Sequence, residues 1–425
     1  MKHHLQKEII FLVFFLWIII IKNIDVNFLT NNLFFSKIKK YHYFSKFLKY
    51  KPFNIGYSKK IFLINEIIYL HDIRKEIYYY RDYNYTNIKF KQFSQVVHPK
   101  ITIILTVYNQ GNYLLRMYLC ILNQFFQDIE IIIINDDSND NSEALIKNLM
   151  KFDKRIIYIK NKVNKGQFYS RNRAALISRG KYLMIIDPDD FLLRNIMMKS
   201  YEIANKFNLD LLQFYHIMGN FSENHLVICN PNSKIIYGQD AKNVFFNYPT
   251  RYLWDKLIKK NIFIKSIYFM NVNYRKERFL IHNDETACFG IFKMINSYGQ
   301  IEDIGYFYNT NISNSTTKKN FLPESINGRF HCMFTIMKYY YEQSDNNAFE
   351  KINGGYGFFT FRIIRKYQDK IQFLTKGFKF IESVIDIYLN CSFLNSTQKN
   401  LLREFNSKIQ TQNQIVLRKN KYSLI

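Results

Sequence analysis

Between residues 99 and 192 the chain alternates short apolar runs that end in polar clusters with longer segments of helical periodicity. Ile101 to Val107 is apolar apart from two threonines and closes on Tyr108-Asn109, the pattern of a strand covered on both faces. Asn112 to Gln124 then carries Leu115, Tyr118, Leu119 and Leu122 at helical spacing. Glu130 to Ile134 repeats the strand pattern and empties into Asn135-Asp136-Asp137-Ser138, after which Asp140 is placed to cap a helix running to about Phe152. Ile156 to Ile159 predicts a third strand, followed by Asn164-Lys165-Gly166 and a helix over Gln167 to Arg179 with Gly180 in the C-cap role. A fourth strand, Tyr182 to Ile186, runs directly into Asp187-Pro188-Asp189-Asp190.

Strands that alternate with helices imply a parallel sheet with right-handed crossovers, and ligands of such sheets bind outside the carboxyl ends of the strands. Tyr108-Asn109, Asp136-Asp137, Asn164 to Gly166 and Asp187 to Asp190 are therefore expected to converge on one crevice. Neither GxGxxG nor GxxxxGKS occurs at the strand ends, which excludes the usual dinucleotide cradle and the P-loop. Pro188 ends the fourth strand and makes its predecessor extended, so the carboxylates stand on a rigid corner. Such a corner is either a solvated acidic turn or a seat for a hard divalent ion, Mg²⁺ or Mn²⁺, whose preferred ligand is oxygen.

Outside this region the patterning changes. Ile9 to Ile21 is uninterrupted hydrophobe flanked by Lys2, Lys7 and Lys22. Its thirteen residues would span roughly 20 Å as a helix against a bilayer core of about 30 Å. With no small-residue cleavage site after Lys22, the segment is expected to be an uncleaved signal anchor that makes the chain a single-pass membrane protein of the secretory pathway, Golgi or endoplasmic reticulum. Asn-X-Ser/Thr triplets at Asn84, Asn220, Asn311, Asn314, Asn390 and Asn395 would suit a lumenal domain. The net charge of +26 admits anionic partners. The lysines are dispersed among Asn, Ile, Phe and Tyr with no basic module, however, so nucleic acid is not expected as a partner. Five dispersed cysteines define neither a zinc site nor a disulfide framework.

The order of motifs resembles family 2 glycosyltransferases with the GT-A fold. It runs through Val107-Tyr108-Asn109, Gln124, EIIIINDDSNDNS at Glu130 to Ser142, Asn164 to Gly166, Arg171-Asn172, Gly180 to Tyr182 and the acidic turn, and continues more loosely through LWDKL at Leu253 to Leu257 and HNDET at His282 to Thr286. The resemblance implies an α/β fold with a Rossmann-like, mostly parallel sheet flanked by helices, here with an N-terminal membrane segment and a helical C-terminal extension. It divides the chain into a tail (1–8), the anchor (9–21), a stem (22–98), a nucleotide-sugar-binding half (99–215), an acceptor half (216–317) and the extension (318–425).

By that resemblance Tyr108 and Asp136 would contact base and ribose, Arg171 would position the diphosphate, and Asp187 and Asp189 would form the DxD pair that holds sugar, pyrophosphate and a divalent metal, Mn²⁺ or Mg²⁺. Asp284 would be the catalytic carboxylate, although the family's Glu-Asp pair reads Asn283-Asp284 here with Glu285 following, so Asp284 and Glu285 compete for the role. Thr106 stands where the family commonly has proline. The implied activity is inverting transfer from a nucleotide sugar, UDP-linked, to a glycan, glycoconjugate or lipid-linked acceptor. Single sugars are expected to be moved, because no stretch after Lys318 is apolar enough to form further membrane spans. The competing reading is a degenerate GT-A-fold protein that binds nucleotide or glycan without turnover. Trp254, alone in an apolar run, is expected in the core rather than on a sugar.

Overall fold

In a computed structural model, which describes residues 75–81, 92–219, 227–228, 234–247, 252–269, 283–310, 385, 389 and 396–422, strand β1 (Ile101–Val107) is buried at all seven positions. It pairs in parallel with β2 (Ile129–Asn135) on one side and β4 (Tyr182–Ile186) on the other, and β3 (Ile156–Lys160) extends the parallel sheet beyond β2. Helices α1 (Gly111–Leu122), α2 (Ser142–Phe152) and α3 (Gln167–Ile177) supply the crossovers. The chain thus builds outward from β1 to β3 and then returns to the other side of β1. That reversal opens a crevice between β1 and β4 at their carboxyl ends.

Beyond β4 come β5 (Phe191–Leu192), α4 (Ile196–Lys206), β6 (Leu211–Gly219), β7 (Val227–Ile228), β8 (Lys234–Tyr237), α5 (Gly238–Asn247), β9 (Lys256–Lys259), α6 (Lys260–Phe269), α7 (Asn283–Met294), β10 (Ser297–Asn309) and α8 (Ser396–Tyr422). The sheet order is β3-β2-β1-β4-β9-β6-β10-β5, with β7 beside β6 and β8 beside β10. Here the expected mostly parallel sheet is corrected to a mixed one. Strand β9 is antiparallel to both β4 and β6, inserted in reverse between them. Only the first four strands follow one another through crossover helices, and parallel pairing requires such crossovers.

Helix α3 ends at Ile177 with Ser178 as its cap, two residues earlier than predicted, so Gly180 is not a C-cap. A Cβ at Gly180 would lie 2.5 Å from the backbone nitrogen of Thr102, and the Gly180 N–H donates to Thr102 Oγ1 at 2.9 Å. Close approach of the chain to β1 is what selects glycine there.

One apolar cluster joins Ile104, Ile132, Leu183 and Ile258 of the sheet to Phe263, Phe289 and Phe292 of α6 and α7. Leu402, Phe405 and Ile409 of α8 enter the same cluster. At roughly 1.5–3 kcal/mol for each large apolar side chain fully buried, these three dock a helix that is otherwise polar. At the other end, Phe93 of the predicted stem exchanges backbone hydrogen bonds of 2.9 Å with Phe152 and Lys154, and its ring lies 3.8 Å from the Arg155 guanidinium carbon. Strands β6 and β7 pair antiparallel, with Ile217 opposite Ile228.

The expected single-pass membrane location is corrected: no helix among the described residues is long and apolar enough to cross a membrane. The apolar segment 9–21, on which that expectation rested, lies outside the described residues, as do all six Asn-X-Ser/Thr asparagines.

Candidate active site

The carboxyl ends of β1 and β2 clasp each other through side chains that tolerate left-handed backbone. Asn109 (φ 52°) and Asp137 (φ 66°) both turn the chain sharply, as Asn and Asp can. The Asn109 N–H donates to Ser138 Oγ at 3.0 Å, and Asn109 Oδ1 accepts the Asn139 N–H at 2.8 Å. Tyr108 stands just before this clasp, 45% exposed. Asp140 accepts N–H groups from two helices, Ser142 of α2 at 3.0 Å and Gly111 of α1 at 2.9 Å. It therefore serves α1 as well as the helix it was expected to cap. Burial opposes ionisation of Asp140, and these hydrogen bonds outweigh it and hold its carboxyl below the usual range.

Asp136, buried at the end of β2, is committed to the loop after β3. Its Oδ1 accepts from Asn161 Nδ2 at 2.6 Å and from the Lys165 N–H at 2.9 Å, and its Oδ2 accepts the Gly166 N–H at 2.7 Å. Gly166 has φ 85° and ψ 161°, a combination open essentially to glycine alone. The Asn164-Lys165-Gly166 motif is thus a loop whose amides wrap a carboxylate.

Arg171 of α3 reaches the acidic turn. Arg171, 2% exposed, donates to Asp187 at 2.8 Å, to Asp284 in a short ion pair and to Asn283 Oδ1 at 3.3 Å. Burial alone would lower the Arg171 pKa, but the charges of Asp284 and Asp187 raise it well above the ordinary value. Among the described residues its Nε, and Nδ2 of the neighbouring Asn172, are buried without a hydrogen-bond partner. These are donors that an anionic ligand could satisfy. Helix α7 begins at Asn283, so Asp284 and Glu285 fill its first turn, where the helix dipole favours anions. Asp284 meets Arg171, and its Oδ2 accepts the Leu253 N–H at 3.4 Å. Glu285 is buried.

The acidic turn itself is sorted by burial. Asp190 is 1% exposed and accepts the Tyr306 O–H at 2.8 Å, while Asp187 and Asp189 are only half-buried. Burial pushes the Asp187 carboxyl up, the Arg171 charge opposes this, and Asp284 adds to it. Asp189 is pushed up to about 7, by burial first and by the Asp187 charge second. Among the described residues no three His, Cys, Asp or Glu side chains converge as a cage for a metal ion. The turn offers two carboxylates in an environment that resists their ionisation, a donor set that fits an Mg²⁺ or Mn²⁺ ion whose remaining ligands are phosphate oxygens and water.

Two supports were not foreseen. Arg116 of α1 donates to the Asp189 carbonyl at 2.6 Å and lies 4.1 Å over the Phe191 ring; a charge amid the apolar run LLRMYLCIL was its signal. Tyr306 of β10 reaches the turn through its hydroxyl. Trp254 is buried, as expected, but in a stack between Tyr252 (centroids 4.6 Å apart) and Tyr306 (4.7 Å).

The chain is similar to known proteins over this region. Residues 102–267 match the model described as glycosyl transferase family 2. The chain is 32% identical over 170 residues to an uncharacterised glycosyltransferase of Methanocaldococcus jannaschii, covering 38% of this chain and 58% of that protein. It is 27% identical over 305 residues to the poly(ribitol-phosphate) β-N-acetylglucosaminyltransferase TarP of Staphylococcus aureus, 67% of this chain and 89% of TarP. The crystal structure of S. aureus TarS 1–349 in complex with UDP-GlcNAc superposes with a TM-score of 0.55 at 14% identity, over 76% of this chain and 92% of that one. The chain carries a family 2 glycosyltransferase domain with a GT-A-like fold. It spans little more than half the length of the first curated relatives it matches.

Proposed function

We propose that the protein is an inverting glycosyltransferase that moves a single sugar from a nucleotide sugar, UDP-linked, to a glycan, glycoconjugate or lipid-linked acceptor with the help of a divalent cation. The observation that carries this reading is the convergence on Arg171 of Asp187 from the acidic turn and Asp284 from the start of α7. One carboxylate belongs to the strand end where a donor diphosphate would lie, the other to the element expected to receive the acceptor. TarP is named for N-acetylglucosaminyl transfer and the TarS structure holds UDP-GlcNAc, which supports a UDP-sugar donor.

In this mechanism Tyr108 and the loop that Asp136 organises receive base and ribose, and Arg171 offers its buried guanidinium to the diphosphate. Asp187 and Asp189 would hold the cation. When bound, Mn²⁺ or Mg²⁺ supplies Lewis-acid stabilisation of charge on the departing phosphate oxygens. Asp284, oriented by Arg171 and the Leu253 amide, accepts the acceptor hydroxyl proton while that oxygen attacks the anomeric carbon, and a single displacement inverts configuration. Fixing both substrates between α3 and α7 removes much of the entropic barrier to their meeting.

The test is release of nucleoside diphosphate from a panel of nucleotide sugars, with and without Mn²⁺, by the full chain and by Asp189→Ala and Asp284→Asn. Ion-dependent release from one donor, lost in both variants, is the expected result. Binding of UDP without turnover, across diverse acceptors, would replace the enzyme with a degenerate nucleotide-binding protein.

A further inference from the structure

Asp187, Asp189 and Asp190 occupy a stretch of four residues, yet only the first two keep part of their surface exposed. Asp190 points into the domain, where its carboxylate accepts the Tyr306 hydroxyl at 2.8 Å. The same hydroxyl oxygen accepts the Asp187 N–H at 3.0 Å. One phenol oxygen thus ties the first residue of the turn by its backbone and the last by its side chain, across a chain separation of 119 and 116 residues respectively. The phenol cannot swing away. Tyr306 is fully buried in β10, and its ring lies against Trp254 at 4.7 Å and 15°, which in turn lies against Tyr252. A glycine at position 305 lets the strand pack here, since a Cβ would come within 2.2 Å of Ile196.

We infer that Tyr306 is the positioning residue of the acidic turn: it turns Asp190 inward as a structural partner and so presents Asp187 and Asp189, and those two alone, to donor phosphate and cation. This rests on the transferase reading and assigns within it a role to β10 and to the third carboxylate.

Tyr306→Phe is the decisive variant, because it keeps ring and stack and deletes only the oxygen. The Asp187 N–H then lacks its acceptor and Asp190 its donor, and the turn can rotate. Loss of two hydrogen bonds that fix geometry is expected to raise donor KM and the Mn²⁺ concentration for half-saturation by roughly tenfold. Binding is read separately, by calorimetric titration of UDP with Mn²⁺ and by emission of Trp254, one of two tryptophans in the chain. A merely structural tyrosine would lower the melting temperature and leave KM, half-saturation and UDP affinity unmoved; that outcome overturns the assignment. If Tyr306→Phe does not fold, Asp190→Asn decides instead. An increase in KM with kcat kept supports an inward Asp190, whereas loss of kcat with KM kept makes Asp190 a ligand and overturns it. Wild-type protein that neither binds UDP with Mn²⁺ nor releases it from any donor removes the transferase reading itself, a result distinct from an active wild type that Tyr306→Phe leaves unchanged.

Discussion

Asp187, at the end of β4, and Asp284, in the first turn of α7, meet on one guanidinium. Arg171 donates to both, at 2.8 Å to the first and in a shorter ion pair to the second. Two carboxylates that would repel each other across the crevice are held there by a cation that burial has stripped of water. Electrostatics of this kind ties the end of β4 to the start of α7 before any ligand arrives.

Replacing Arg171 should therefore damage stability and activity together. Breaking a buried ion pair by removing one partner costs about 3–5 kcal/mol. Asp187 and Asp284 keep 16% and 19% side-chain exposure, which places Arg171→Ala near the lower end, about 3 kcal/mol. Arg171→Lys should retain part of the stability but lose at least about tenfold in kcat/KM, because a single ammonium cannot reach two carboxylates in fork geometry. Urea unfolding and steady-state kinetics read the two effects. Coupling of at least about 1 kcal/mol is expected between Arg171→Ala and Asp284→Asn in a double-mutant cycle.

Asp136 was expected to touch base and ribose, and in the fold its oxygens hold the loop from Asn161 to Gly166. Its contribution to donor binding then passes through that loop. In Asp136→Asn one acceptor oxygen becomes a donor facing an N–H, leaving a buried clash worth about 1–3 kcal/mol. The expected kinetic signature is a raised donor KM with kcat nearly kept. An unchanged melting temperature with lost kcat would contradict this account.

The parallel half of the fold was legible because each strand is continuously apolar and each ends in polar residues; β1 and β4 fall at Ile101–Val107 and Tyr182–Ile186 as the pattern predicts. The reversed β9 was not. Lys256–Lys259 is four residues long, and its neighbour relation to β4 and β6 is set by tertiary packing rather than periodicity. A helical C-terminal extension was expected, but the bounds of α8 were not legible, because it is polar overall, with its buried face carried by Leu402, Phe405 and Ile409 within a run rich in Lys, Gln and Asn. The acidic turn and Arg171 were visible as motifs. What supports them, Arg116 and Tyr306, lies 73 or 116 residues away, and no local pattern encodes such a contact.

Gly180 provides a test of the corrected fold. A helix C-cap glycine with left-handed backbone would cost about 1 kcal/mol on replacement by alanine. Here the added methyl would meet the backbone of β1, with Thr102 N at 2.5 Å and Ile101 C at 2.8 Å, and a backbone in the centre of a sheet cannot yield as a side chain can. Gly180→Ala is expected to destabilise by about 1–3 kcal/mol, the range for overpacking. It should also loosen the register of β1 against β4, visible as faster amide exchange in Ile101 to Leu105.

Cys288 gives a pH-dependent prediction that does not depend on the reaction. Its thiol lies fully buried on α7, its Sγ 3.6 Å from the Tyr252 carbonyl that accepts from it. Burial pushes its pKa up to about 12; Lys256 opposes the shift, and Asp284, Asp255 and Glu285 add to it. An unfolded thiol ionises near about 8.5, so between about 8.5 and 12 the unfolded chain releases a proton that the folded one keeps. Its effect on stability is therefore absent below pH 8.5 and increasingly unfavourable as pH rises through that window. Cys288→Ser should flatten the alkaline decline while lowering stability at neutral pH through the poorer fit of a hydroxyl. Native protein at pH 8.5 should leave Cys288 unmodified by iodoacetamide, with alkylation appearing only in urea. Peptide mapping that finds Cys288 alkylated in the native protein at a rate comparable to an exposed thiol would mean that α7, and with it Asp284, opens far more readily than its packing allows.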